Sequence, residues 1–147
     1  MNIELLKDIV DYGIIGLLGV MSFMAFWFWI ERLLFYKGVD VKNFETKEEL
    51  EIALTNNINI ISTFGSNAPY IGLLGTVFGI IITFYAMGQS DSLDAKMIMT
   101  SLALALKATA MGLLVAIPSI IFYNHLARRI EVILALWDIG QKQNNAN

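Results

Sequence analysis

The sequence predicts an all-α membrane protein, with three transmembrane helices that carry helical extensions on the cytoplasmic side. Three observations make that prediction. Hydrophobic residues are 56% of the 147, charged residues only 16%, and mean hydropathy is +0.62. A soluble domain holds about 25% charged residues and only about 45–50% apolar ones with glycine included. Second, the charges fall in blocks and leave three long runs that are free or nearly free of charge. Third, a run of about 20 residues at 1.5 Å rise crosses about 30 Å of hydrocarbon as a helix. Only a helix pairs its backbone polar groups within the segment itself.

The first run, 12–30, is 19 residues long, bounded by Asp11 and Glu31. It is bulky all round, and Phe23, Phe26, Trp27, Phe28 and Trp29 crowd toward one end as an interfacial belt does. This is expected to be an outer, lipid-facing helix. It is expected to be a retained anchor rather than a signal peptide, because the first eleven residues are net acidic and no small-residue cleavage site follows. The second run is uncharged from Ile52 to Ser90, and its most apolar part is 68–87. The third span, about 99–124, contains one charge, Lys107.

Basic residues set the direction. Arg32, Lys37, Lys42 and Lys47 lie between the first and second spans, and Arg128, Arg129 and Lys142 follow the third. Lys7 and Lys96 are alone on the other side. The loop 31–67 and the tail 125–147 are therefore expected in the cytoplasm and the N-terminus outside. The 147 residues form a single membrane domain. Thr46-Lys47-Glu48-Glu49 has the form of a capping box and opens a short helix through Leu54, which Asn56 and Asn57 interrupt. Residues 58–67 then lead into the second span. In the tail, Leu126, Ile130, Ile133, Leu134 and Trp137 form a stripe that extends the third helix and calls for a packing partner. Residues 141–147 are polar and expected to fray.

Several function classes are excluded. With no Cys there is neither thiol catalysis nor a thiolate metal site, and one His leaves little for a metal ion. A net charge of −3 gives nucleic acid no reason to bind. Three helices with no nucleophile–base pair do not make an enzyme, and no cofactor is implied. No span contains a carboxylate, so use of an ion gradient requires a titratable group from a partner helix.

Two faces lack bulk. Gly72, Thr76, Gly79 and Thr83 share one side of the second span, with Pro69 a turn before, and Gly75-x-x-x-Gly79 runs beside them. Ser101, Ala105, Thr109, Gly112, Ala116 and Ser119 share one side of the third. Small residues let helices approach closely, and hydroxyls bond across them. Any single Thr is explained by a bond to its own i−4 carbonyl. Two matching stripes with three Thr indicate a shared surface, either a dry contact or a pore lining. Lys107 lies about 200° round the helix from the stripe. An interfacial or packing role is favoured for it over a functional one, as for His125 beside Asn124. Pro118 is expected to kink the third helix.

The second and third spans resemble the ExbB/TolQ proton-channel family, relatives of the flagellar stator protein MotA. The resemblance rests on Ala68-Pro69-Tyr70-Ile71-Gly72-Leu73-Leu74-Gly75-Thr76-Val77-Phe78-Gly79 and on the run from Ala105 through Lys107, Thr109, Gly112 and Ala116 to Pro118, closed by Tyr123-Asn124. It implies a homopentameric ring of helices in the bacterial inner membrane, with the second and third spans lining a pore. An ExbD-like single-span dimer would sit inside, bringing an essential Asp. The assembly would use the proton-motive force to energise a TonB-like protein for uptake of iron complexes and similar nutrients. Thr76 and Thr109 match the family's pore threonines, and Thr83 continues their face. Pro69, Gly72, Gly75, Gly79, Ala105, Gly112, Ala116 and Pro118 would pack the helices around that pore. A Glu that many members carry five residues before the second Thr is Leu104 here, and Lys107 has no standard counterpart. The short loop favours the TonB-system type over a TolQ-like subunit of the Tol–Pal system. A passive membrane scaffold is the remaining alternative.

Overall fold

A computed structural model describes residues 2–92 and 94–147. Among them there is no strand. The helices are α1 (Ile3–Gly38), α2 (Lys47–Thr55), α3 (Ile58–Gly88) and α4 (Ala95–Ala146), with a 3₁₀ turn at Val41–Asn43. The three long helices each hold a window apolar enough to cross a membrane. At 1.5 Å per residue, the 52 residues of α4 reach about 78 Å, far beyond a hydrocarbon core of about 30 Å.

Local chemistry sets the boundaries. Asn2 and Asp94 cap α1 and α4 by accepting from the backbone N–H two residues on. Thr46 Oγ1 accepts from Glu49 N at 3.2 Å, as the capping-box pattern predicts. The Glu49 carboxylate returns one residue further back, to Glu45 N. Asn57, at φ 64°, turns the chain between α2 and α3, a left-handed position that Asn tolerates better than most residues. Residues 58–67 are the first turns of α3 itself.

Packing follows a seven-residue repeat. On α3 the inward series is Ile58, Ile61, Gly65, Ala68, Gly72, Gly75, Gly79 and Ile82, spaced alternately three and four. Ala105, Ala108, Gly112, Val115 and Ser119 answer on α4, and Leu126 continues their register. Such a repeat keeps one seam facing its partner. α1 lies along one side of this pair: Ile14 touches Gly75, and Leu18 and Met21 pack with Ala68, Val115 and Ala116. The expectation of an all-outer first helix is corrected in part. Phe23, Phe26 and Trp27 are exposed, but Leu18, Met21 and Ala25 are buried. Trp29 stacks on Phe122 at 4.4 Å between centroids, and its Nε1 donates to His125 Nδ1.

A second core lies past the apolar run of α1. Leu50 and Leu54 of α2 pack with Ile58, Ile61, Leu126 and Ile130, with Ile133, Leu134 and Trp137 against them. The tail stripe is thus buried by helix–helix packing, and the Lys47–Asp138 ion pair flanks it. Arg32 and Tyr36 of α1 close the end of α2. Arg32 Nη1 donates to Ala53 O at 3.0 Å, and Tyr36 OH donates to Leu54 O at 2.6 Å. These carbonyls have no partner within their own helix, and a cation there also suits the helix dipole. The hydrogen bond from Arg32 holds the Glu31 carboxyl below its ordinary range. Burial pushes the Tyr36 hydroxyl up to about 12, so it stays a donor.

One further expectation changes. The tail is helical where a frayed end is expected, with α4 continuing to Ala146. Pro69 and Pro118 lie inside α3 and α4.

Candidate functional site

The site forms where α3 and α4 come closest. A Cβ on Gly72 would stand 2.6 Å from Ala108 O and 3.0 Å from Gly112 Cα, and one on Gly112 would stand 2.6 Å from Ala68 O. A Cβ on Gly75 or Gly79 would meet Ala108 Cβ or Ala105 Cβ at 2.8 Å. Backbone therefore rests on backbone, a separation only glycine allows. Gly72, Gly75, Gly79, Ala105 and Gly112 are brought together in this seam, while Ala116 is buried in the neighbouring cluster with Leu18, Ala68 and Val115. Pro69 is half-buried at its edge, while Pro118 is exposed.

Close approach fixes the hydroxyls. Thr76, 6% exposed, has Oγ1 2.9 Å from Ala105 O and within hydrogen-bond reach of Thr109 Oγ1. Its own Gly72 O is farther, at 3.4 Å. Thr76 has one hydrogen to give. With that hydrogen on Ala105 O, Thr109 is the donor of the Thr–Thr bond. The half-buried Thr109 hydroxyl then keeps free acceptor capacity and no free proton.

Helix geometry locates this pair. At 100° per residue Thr76 follows Gly75 on the side of the seam away from Ile71, and Thr109 follows Ala108 on the side away from Leu104 and Met111. Ile14 meets Gly75, and Ile71 and Met111 pack in the core that α1 shares. The hydroxyl pair therefore sits on the edge of the α3–α4 seam opposite α1.

The other polar candidates lie apart from it. Thr83 donates to its own Gly79 O at 2.8 Å and lines an outer cleft with Ser90 and Ser101, beyond the pair. Asn124 is exposed on α4. Lys107 is exposed on the α1 side, in a cleft with Asp8, Asp11 and Tyr12. Among the described residues no group of three His, Cys, Asp or Glu is placed to hold a metal ion.

Sequence reasoning missed Ala108, which contacts both Gly72 and Gly75, and Gly65, which approaches Ser119 and Ile120. The signal was present as the alternating three-and-four series 65, 68, 72, 75, 79. Reading it over four turns instead of two selects Gly75 and Ala108 for the centre of the seam and leaves Thr76 and Thr109 on its flank.

The profile of the MotA/TolQ/ExbB proton channel family matches residues 27–139. The biopolymer transport protein ExbB of Helicobacter pylori strain J99 is 52% identical over 132 residues, 90% of this chain and 91% of that protein. ExbB of Aquifex aeolicus is 52% identical over 135 residues, 92% and 91% of the two chains. The Tol-Pal system protein TolQ of Haemophilus influenzae is 40% identical over 91 residues, which are 62% of this chain and 40% of that one.

Proposed function

Because the chain belongs to the MotA/TolQ/ExbB proton channel family, we propose that it is the ExbB-type subunit of a motor in the bacterial inner membrane. With an ExbD-like partner it uses the proton-motive force to energise TonB-dependent nutrient uptake across the outer membrane. Near-complete coverage of ExbB proteins at 52% identity favours this role over a TolQ role, where both identity and coverage fall.

The observation that carries the site is the Thr76–Thr109 pair, on the edge of a glycine seam and away from α1. In a homopentamer with α1 outermost, that edge lines the pore. A protonated carboxylic acid on a single-span partner would donate to the free lone pair of Thr109. A carboxylate would find both hydroxyl protons already engaged, that of Thr76 with Ala105 O and that of Thr109 with Thr76 Oγ1. The pair thus distinguishes the two protonation states without taking the proton itself. The N-terminus faces the periplasm, and the α2 layer and the α4 tail are cytoplasmic, following the seven basic residues on that side. One charge crossing 100 mV releases about 2.3 kcal/mol, so a few protons suffice to shift an inner helix against the ring.

The test is Thr109→Val in the co-expressed pair. Proton-coupled uptake is lost while native mass spectrometry still finds the assembled complex. Undiminished uptake sinks the pore assignment, and tolerance of both Thr76→Val and Thr109→Val supports a passive scaffold instead.

A further inference from the structure

A second polar feature lies on the side of the molecule that the threonine pair does not use. Asp8 and Asp11 stand one turn apart on α1, followed by Tyr12, and Lys107 on α4 faces the same cleft, with Ile15, Leu104 and Ala108 completing its walls. The cleft measures about 140 Å³, against the roughly 10–15 Å³ that admits one water.

Ile14 touches Gly75, and Leu6 shares a cleft with Ile81, Ile82 and Tyr85, so Asp11, the last charge of α1 before its apolar run, stands between those two levels, in the half of the uncharged stretch of α3 nearer the α1 N-terminus. α3 continues past Asp11 through Ile81, Phe84 and Tyr85, all exposed. Charges beside exposed apolar helix call for partners. Among the described residues the ion pairs join other groups, and neither Asp8, Asp11 nor Lys107 has a partner within 4.0 Å. Two carboxylates and one ammonium share the walls of a cleft without touching.

The charges define what fits. A metal cation would meet the Lys107 ammonium, and a free phosphate would meet two carboxylates. A ligand that carries an anion and a primary ammonium a few ångströms apart satisfies all three, and the apolar walls at Ile15 and Leu104 suit an attached chain. We propose that this cleft binds the headgroup of a zwitterionic aminophospholipid from the leaflet on the N-terminal side, with the phosphate on Lys107 and the ammonium shared by Asp8 and Asp11. A primary ammonium has three hydrogens to divide between two carboxylates. The methylated ammonium of a choline lipid has none.

The proposal does not depend on the motor function. The full-length assembly is reconstituted with equal parts phosphatidylethanolamine, phosphatidylcholine and phosphatidylglycerol, purified, and its retained lipids measured by native mass spectrometry. Phosphatidylethanolamine is retained over phosphatidylcholine by about tenfold, the scale of one charge-assisted hydrogen bond. Lys107→Met removes the preference and Lys107→Arg keeps it. Asp8→Asn with Asp11→Asn shifts retention toward phosphatidylglycerol. Soluble glycerophosphoethanolamine displaces the lipid and inorganic phosphate does not. Equal retention of the ethanolamine and choline lipids, or an unchanged preference in a Lys107→Met protein of native helix content, overturns the proposal, as does displacement by phosphate alone.

Discussion

Replacing Gly72 by Ala tests whether α3 and α4 meet backbone to backbone. The new Cβ would lie 2.6 Å from Ala108 O, where ordinary contact begins at 3.4 Å, so the helices must part by about 0.8 Å. That movement stretches the bond from Thr76 to Ala105 O from 2.9 Å to about 3.7 Å, beyond hydrogen-bond length. Overpacking of this kind costs about 1–3 kcal/mol and the lost bond about 0.5–1.5 kcal/mol, while Ala returns about 1 kcal/mol of helix propensity. The net expectation is a destabilisation of about 2 kcal/mol. Because Gly112 faces Gly72 across the same gap, the double change to Ala should cost little more than either single one, a strong departure from additivity. Unfolding by sodium dodecyl sulfate in mixed micelles, followed by circular dichroism, measures each variant. Gly140→Ala is the control, since a Cβ there meets nothing, and it should gain up to about 1 kcal/mol. A Gly72→Ala protein that gains stability as the control does, or a strictly additive double variant, refutes the close-contact seam.

Leu54→Ala should destabilise the α2 layer by about 2–5 kcal/mol, because Leu54 is fully buried between α2 and α4. Hydrogen exchange would show α2 amides opening faster while protection around Thr76 and Thr109 is unchanged; uniform loss would mean the two cores are not separable. Tyr36→Phe should cost about 1 kcal/mol at neutral pH by removing the donor to Leu54 O. Since burial raises the folded-state pKa of Tyr36 above its ordinary 10.0 to about 12, the contact is fully present below pH 10 and is lost as pH rises through about 12. The absorbance difference at the phenolate band between wild type and Tyr36→Phe should therefore titrate near 12, and a midpoint near 10 contradicts the buried donor.

Some of this was legible in residue order. Thr46 and Glu49 announced the start of α2, and Leu126 through Trp137 announced a buried tail stripe, because caps and amphipathic periods are local signals. Arg32 and Tyr36 were not legible as caps of α2. Ala53 and Leu54, whose carbonyls they meet, lie 21 and 18 residues away, and nothing local ties them together. The same holds for Trp29 and His125, 96 residues apart.

By itself the sequence determined the three apolar helices, the blocks of charge between them, and the two small-residue faces that carry the family's motifs. Those properties follow from composition and from the 3.6-residue period. Only the tertiary structure decided the rotation of each helix about its axis. Lipid and neighbouring helices are equally apolar, so hydropathy leaves Gly75 and Thr76, or Ala108 and Thr109, as equal candidates for the contact. Helix contact resolves the choice: Gly75 and Ala108 take the centre because they have the least volume to clear. That rotation leaves the Thr76–Thr109 pair on one edge of the seam and carries Lys107 round to a cleft shared with Asp8 and Asp11 on the other. The opening stretch of α1, which reads as a plain acidic terminus, becomes the wall of a cleft for the same reason.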